Sequence, residues 1–157
     1  MWRLPHLLIV TVVTFIAATA SASIRKVGTW GIIETPDRFA DHAAVSAVLP
    51  SGPVALALAC VSGVVSVGIL KLDMPAEKKL GLIEVKMRVD DLPVRTAQAI
   101  YQSADVLWVV TGDEMVNDIS AAKQRIDVRV AGARGDLTFA ATGSSEAVAA
   151  VRGACKK

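Results

Sequence analysis

The residues of this chain that could do chemistry are few: two cysteines, two histidines and a handful of close-set acids and bases. Cys60 ends the run Val54-Ala55-Leu56-Ala57-Leu58-Ala59-Cys60, in which large and small side chains alternate with period two. That is a strand with Val54, Leu56, Leu58 and Cys60 on one face and three alanines on the other. Cys155 shares a helical face with Val148 and Val151, at i, i+3 and i+7. Both thiols point where a core belongs, and one structural disulfide between them is expected. It would close a loop of about 95 residues, which the chain-entropy model values at roughly 4 to 5 kcal/mol before native-state strain. A redox-active or nucleophilic thiol needs a C-x-x-C or a neighbouring base, and the sequence offers neither.

His42, flanked by Asp41 and near Asp37, is the one histidine outside the N-terminal apolar segment. A single imidazole does not make a zinc site without companions, and no G-x-S-x-G accompanies it. A small secreted hydrolase using His42 with Asp37 or Asp41 and an unassigned serine is therefore the alternative reading, and no catalytic residue is assigned. Asp90-Asp91 pairs two carboxylates, as a cation or small-molecule binder would, yet the pair also suits a strand end that turns into Leu92-Pro93. Arg134-Gly135-Asp136 spells an adhesive tripeptide and equally well a hairpin turn. Trp30 and Trp108, with Tyr101, Phe39 and Phe139, belong to the core unless exposed, in which case they mark an interface. No cofactor is implied.

The N-terminus tells where these groups work. Met1-Trp2-Arg3 precedes an apolar stretch over 7–18, and a small-residue run ends in Ala20-Ser21-Ala22. This is the layout of a cleavable signal peptide over 1–22, cut after Ala22. Roughly 12 apolar residues fall short of the ~20 that a spanning helix needs, so no stable transmembrane anchor is expected after cleavage. Removal of 22 of the 157 residues leaves 135, enough for one extracytoplasmic domain over 23–157. Loss of Arg3 takes the formal charge from +2 to about +1, which gives no electrostatic case for nucleic acid. Two cysteines exported together meet an oxidising compartment, periplasmic or secreted.

The elements that must position these residues are mostly strands. They are expected over 26–34, 41–49, 54–60 and 64–72, the last two joined as a hairpin at Ser62-Gly63. Residues 74–79 are a polar loop. Ile83, Val85, Met87 and Val89 then alternate with Glu84, Lys86, Arg88 and Asp90, the mark of an antiparallel sheet wet on one face. Further strands follow over 97–102 and 106–110, the second apolar on both faces and so central. A short helix over 111–122 has Thr111 and Glu114 at capping-box spacing. Strands over 125–130 and 136–141 and a helix over 144–154 complete the chain. Helices do not alternate with strands, so the expected fold is mainly β (α+β): an antiparallel sandwich or curled sheet with a C-terminal helix packed on it.

The order of marks also resembles a known family. Thr29-Trp30-Gly31 lies in the first strand, Cys60 ends an alternating one, and a charged strand closes on Asp90. Val106-Leu107-Trp108 follows, then a short helix, two strands and a helix ending in Val151-Arg152-Gly153-Ala154-Cys155. In this the chain resembles the VasI-like small periplasmic proteins associated with type VI secretion and, more weakly, the invasion-associated locus B proteins, which are exported all-β domains. The first resemblance implies an R-x-D pair at Arg88 and Asp90. It also implies an accessory or binding module whose partner is an envelope or secretion-system protein, with Trp30, Trp108, Arg88 and Asp90 as the residues to expect at the contact.

Overall fold

The computed structural model describes residues 22–36 and 43–156. The leader read over 1–22 thus lies outside the described residues save for Ala22, as do Asp37, Phe39, Asp41 and His42.

Ten strands form one antiparallel sheet. They are β1 (Ser23–Val27), β2 (Trp30–Thr35), β3 (Ala44–Ser51), β4 (Val54–Val61), β5 (Val64–Leu70), β6 (Ile83–Val89), β7 (Arg95–Ser103), β8 (Val106–Val110), β9 (Arg125–Val130) and β10 (Leu137–Ala140). Their spatial order is β1-β2-β3-β4-β5-β8-β7-β6-β9-β10. Two helices, α1 (Asp113–Ala121) and α2 (Ser144–Cys155), complete the fold, with a 3-10 turn at Ala76–Lys78 in the polar loop. The mainly β fold with a C-terminal helix on the sheet is the one expected.

Local chemistry explains most of the elements. Strand β6 buries Ile83, Val85, Met87 and Val89 and exposes the charged residues between them, as its alternation requires. Strand β8 is central in the order, between β5 and β7, but it is covered on one face: Leu107 and Val109 are buried and Val110 is exposed. The segment over 26–34 is a hairpin and not one strand. Val27 pairs with Trp30 across a two-residue turn, in which Gly28 takes a φ of 57°. A side chain is excluded there for a second reason, since a Cβ on Gly28 would lie 2.2 Å from the carbonyl oxygen of Thr142. The capping box at the start of α1 does not form. Its N-cap is Gly112, without a side-chain hydrogen bond, and Glu114 accepts instead from Arg95 Nη1 at 2.8 Å.

The sheet curls until its two ends meet. Thr29 donates its backbone N–H to the Thr142 carbonyl at 3.0 Å, its hydroxyl donates to the Ala140 carbonyl at 2.6 Å, and Ser51 Oγ donates to the Thr138 carbonyl at 2.8 Å. Inside the curl one continuous core runs from Trp30, Ile32 and Leu49 through Leu56, Leu58, Ile69 and Leu107 to Ile126 and Phe139. The helices close it from within, α1 with Met115, Val116 and Ile119 and α2 with Ala147, Val148 and Val151. Arg95 Nε donates to Asp118 at 2.6 Å and Arg152 Nη2 to Asn117 at 2.6 Å, tying α1 to β7 and α2 to α1. No described helix is long and apolar enough to cross a membrane.

Candidate functional site

Cys60 and Cys155 are joined, with Cα atoms 5.3 Å apart. The pairing is the expected one but the place is not. Cys60 shares the inward face of β4, yet it sits at the exposed end of the strand, and Cys155 is half-buried. The bridge fastens the last turn of α2 to the rim of the curl and lies outside the core proper. A disulfide so placed fits an oxidising compartment.

Trp30 is fully buried, and no partner can reach it. Its indole Nε1 donates to Ser144 Oγ at 2.9 Å, and Ser144 donates in turn to the Ala141 carbonyl at 2.9 Å. Ser144, the first residue of α2, is the one buried polar or charged residue among the described residues. This pair docks the helix onto β2, so Trp30 belongs to the fold and not to a contact surface.

Asp90 likewise holds the structure together. It sits at a φ of 45° just past β6 and accepts the backbone N–H groups of Lys123, Gln124 and Arg125 at 2.8, 3.1 and 2.8 Å. These hydrogen bonds, chiefly that from Arg125, hold its carboxyl below the ordinary carboxylate value. With Oδ1 and Oδ2 both accepting N–H donors, the carboxylate clamps the α1–β9 connection, and this commits it to donors rather than to a cation. Among the described residues no group of three metal-ligating side chains comes together. Asp136 of the Arg134-Gly135-Asp136 tripeptide is engaged too, taking a two-pronged bond from Arg129, with Nε to Oδ1 at 2.7 Å.

Arg88 stands on the outer face of β6, opposite Asp127 of β9 in register. Around it the outward positions of these two strands are all charged: Glu84, Lys86 and Arg88 on β6, Arg125, Asp127 and Arg129 on β9. They largely answer one another. Lys86 lies 3.3 Å from Glu84 and Arg125 3.2 Å from Asp127, while Thr138 donates to Asp127 at 2.8 Å. A cleft of about 320 Å³ runs along this half between Arg88, Val94 and Asp136. Exposed pairs of this sort contribute little to stability and serve as a solvated surface.

The other half of the same outer face is opposite in character. On β2, β3, β4, β5, β8 and β7, no outward position among the described residues carries a charge. Register places Gly31, Val48, Ala57, Gly68, Trp108 and Ile100 in one row across those six strands. Gly31, Ala57 and Gly68 keep much of the row low, and the indole of Trp108, between Gly68 and Ile100, lies against Gly68. Alongside lie Val61, Val64, Ile100 and Val110, exposed by 43, 53, 45 and 64%. In a chain that is 20% charged, a wet sheet face without charge is a departure from the pattern that β6 follows. Such patches mark contact surfaces, and a partly exposed tryptophan within one is a usual anchor.

Trp108, unlike Trp30, is partly exposed, and the face around it was not foreseen from the sequence. The alanines of β4 were visible as a face, but β5 and β8 are neighbours only in space. No protein-family model, curated protein or solved structure matches the chain.

Proposed function

We propose that this chain is an exported binding module, stapled by one disulfide, that assembles with another envelope component through the uncharged outer face centred on Trp108. The observation that supports this reading most is the division of one sheet face into a fully charged part, on β6 and β9, and a charge-free part, on β2 to β5, β8 and β7. Solvation alone asks for charge on both. Desolvation of unpaired charge is costly at a contact, whereas small apolar residues around an aromatic anchor are not.

Export is part of the same proposal. Cleavage after Ala22 leaves every strand whole, since β1 begins at Ser23, and the Cys60–Cys155 bridge suits the periplasm or the exterior. A type VI secretion component is the partner class that the VasI-like resemblance adds.

A photo-crosslinking residue at Val110, tested in intact cells, examines the face. Adducts are expected from position 110, their loss when Ile100→Glu is added, and none from the same probe at Lys86 on the charged half. Adducts from both halves alike, or adducts indifferent to Ile100→Glu, overturn the reading.

A further inference from the structure

We infer that the cleft on the charged half of the sheet binds a small monocarboxylate, gripped by Arg88 with its apolar body against Val94. The site is separate from the uncharged face and does not depend on what covers that face.

Arg88 is left without an acceptor by the way its neighbours pair. Register sets Asp127 of β9 directly opposite it, the arrangement in which a cross-strand ion pair ordinarily forms. Asp127 is engaged elsewhere instead. Its Oδ1 accepts the Thr138 hydroxyl at 2.8 Å, and Oδ2 lies 3.2 Å from Nε of Arg125 on its own strand. The other acid of the cleft, Asp136, is held by both prongs of Arg129, and Lys86 turns to Glu84 at 3.3 Å. Among the described residues the Arg88 guanidinium therefore has neither a hydrogen bond nor an ion pair.

The balance of charge selects the anion. On this patch four cations, Lys86, Arg88, Arg125 and Arg129, stand among three carboxylates, those of Glu84, Asp127 and Asp136. Three of the cations pair off, and the surplus positive charge sits on Arg88. Register sharpens it, since Lys86 stands directly opposite Arg129 and Arg88 lies diagonal to the same residue. Like charges so placed repel, and an anion beside them relieves the repulsion. One carboxylate neutralises one charge, and its two oxygens match the fork of a guanidinium, which is weakly hydrated and gives up water readily.

The cleft supplies room and a second kind of contact. Its volume of about 320 Å³ suits a small molecule. Val94, just before β7, lines one side and is 45% exposed, so an apolar group next to the carboxylate covers valine surface while the guanidinium is engaged. Asp127 and Asp136, on the side of β9 and β10, repel a second negative charge. A phosphate dianion is thus a poorer occupant than a monocarboxylate with a short apolar tail.

The test titrates valerate, its uncharged counterpart valeramide and inorganic phosphate into the processed, isotope-labelled protein and follows them by NMR. Saturable shifts of the Arg88 Nε–H and the Val94 methyls are expected with valerate in the millimolar range, with valeramide about tenfold weaker and phosphate weaker than valerate. Arg88→Gln is expected to weaken valerate binding about tenfold. Because Arg88 is exposed and has no partner to lose, that variant keeps the fold. Arg134 is the other arginine without a side-chain partner among the described residues and does not line the cleft, so Arg134→Gln is expected to leave binding unchanged. No saturable shift up to ~50 mM valerate, equal binding of valeramide, or equal losses in Arg88→Gln and Arg134→Gln overturns the site. Phosphate binding as tight as that of valerate overturns the assignment to a monocarboxylate. Adducts from position 110 in cells report on the uncharged face alone, so the two readings fail separately.

Discussion

The indole of Trp108 packs against Gly68 of the neighbouring strand, with Cζ3 3.2 Å and Cε3 3.3 Å from where a Cβ on the glycine would stand. The glycine is thus a seat for the ring, and its missing side chain is what lets the anchor lie low on the sheet. Gly68→Ala should shift the indole by a few tenths of an ångström and Gly68→Val should lift it off. Near-UV circular dichroism and emission should change in that order, with the buried Trp30 as the constant background. Identical spectra in all three proteins would show that the ring does not depend on the seat.

The Cys60–Cys155 bridge spans 95 residues of sequence, and it holds the end of α2 to the rim of β4. Cys60→Ser and Cys155→Ser should each lower stability by about 2–5 kcal/mol. The double variant should be no worse than either, since one link is removed in all three. Urea unfolding with and without reductant measures this. Hydrogen exchange should rise first in the last turn of α2, because Val148 and Val151 keep the rest of the helix seated in the core.

Ser144 both accepts from Trp30 and donates to Ala141. Ser144→Ala leaves the indole N–H buried without a partner, a cost of about 1–3 kcal/mol. Combined with Trp30→Phe, which removes the donor, the serine substitution should cost less than it does alone. An additive double-mutant cycle, read by denaturant unfolding, would deny the coupling.

Asp90 carries a pH dependence whose sign is fixed. Its three backbone donors, Arg125 first, lower its carboxyl below the ordinary value. The unfolded chain therefore binds the proton more readily. The stabilisation is complete above about pH 4 and is lost as pH falls through the lowered folded value. Asp90→Ala should cost about 1 kcal/mol at neutral pH, as for a helix-capping carboxylate, and should flatten the acid limb of the stability curve. Asp90→Asn, which tolerates the φ of 45° and keeps one acceptor, should fall between.

How much of this was legible beforehand depended on distance along the chain. The alternation from Ile83 to Asp90 gave β6 outright, because one face is wet and one dry within eight residues. The pairing of Cys60 with Cys155 followed from two local patterns, yet the exposure of Cys60 did not, since it depends on where the curl opens. Val27-Gly28-Thr29-Trp30 concealed a hairpin inside an apolar run, and the one signal of it was a glycine, whose φ of 57° the turn requires. Trp30 could not be assigned to the core with certainty until α2 arrived with Ser144. The uncharged face was the least visible feature. It is assembled from β5 and β8, which the chain separates by the whole of β6 and β7.

The central claim is that the uncharged face is covered in the cell, and oxidative footprinting of Trp108 tests it most directly. The indole is partly exposed in the isolated chain, so hydroxyl radicals should modify it readily in dilute purified protein, while Trp30 stays inert in every sample. In intact envelopes the account predicts that Trp108 reacts at least several-fold more slowly and that Val110→Glu restores the dilute rate. Equal reactivity of Trp108 in envelopes and in dilute solution would mean that the face stays open to water, and would contradict the account.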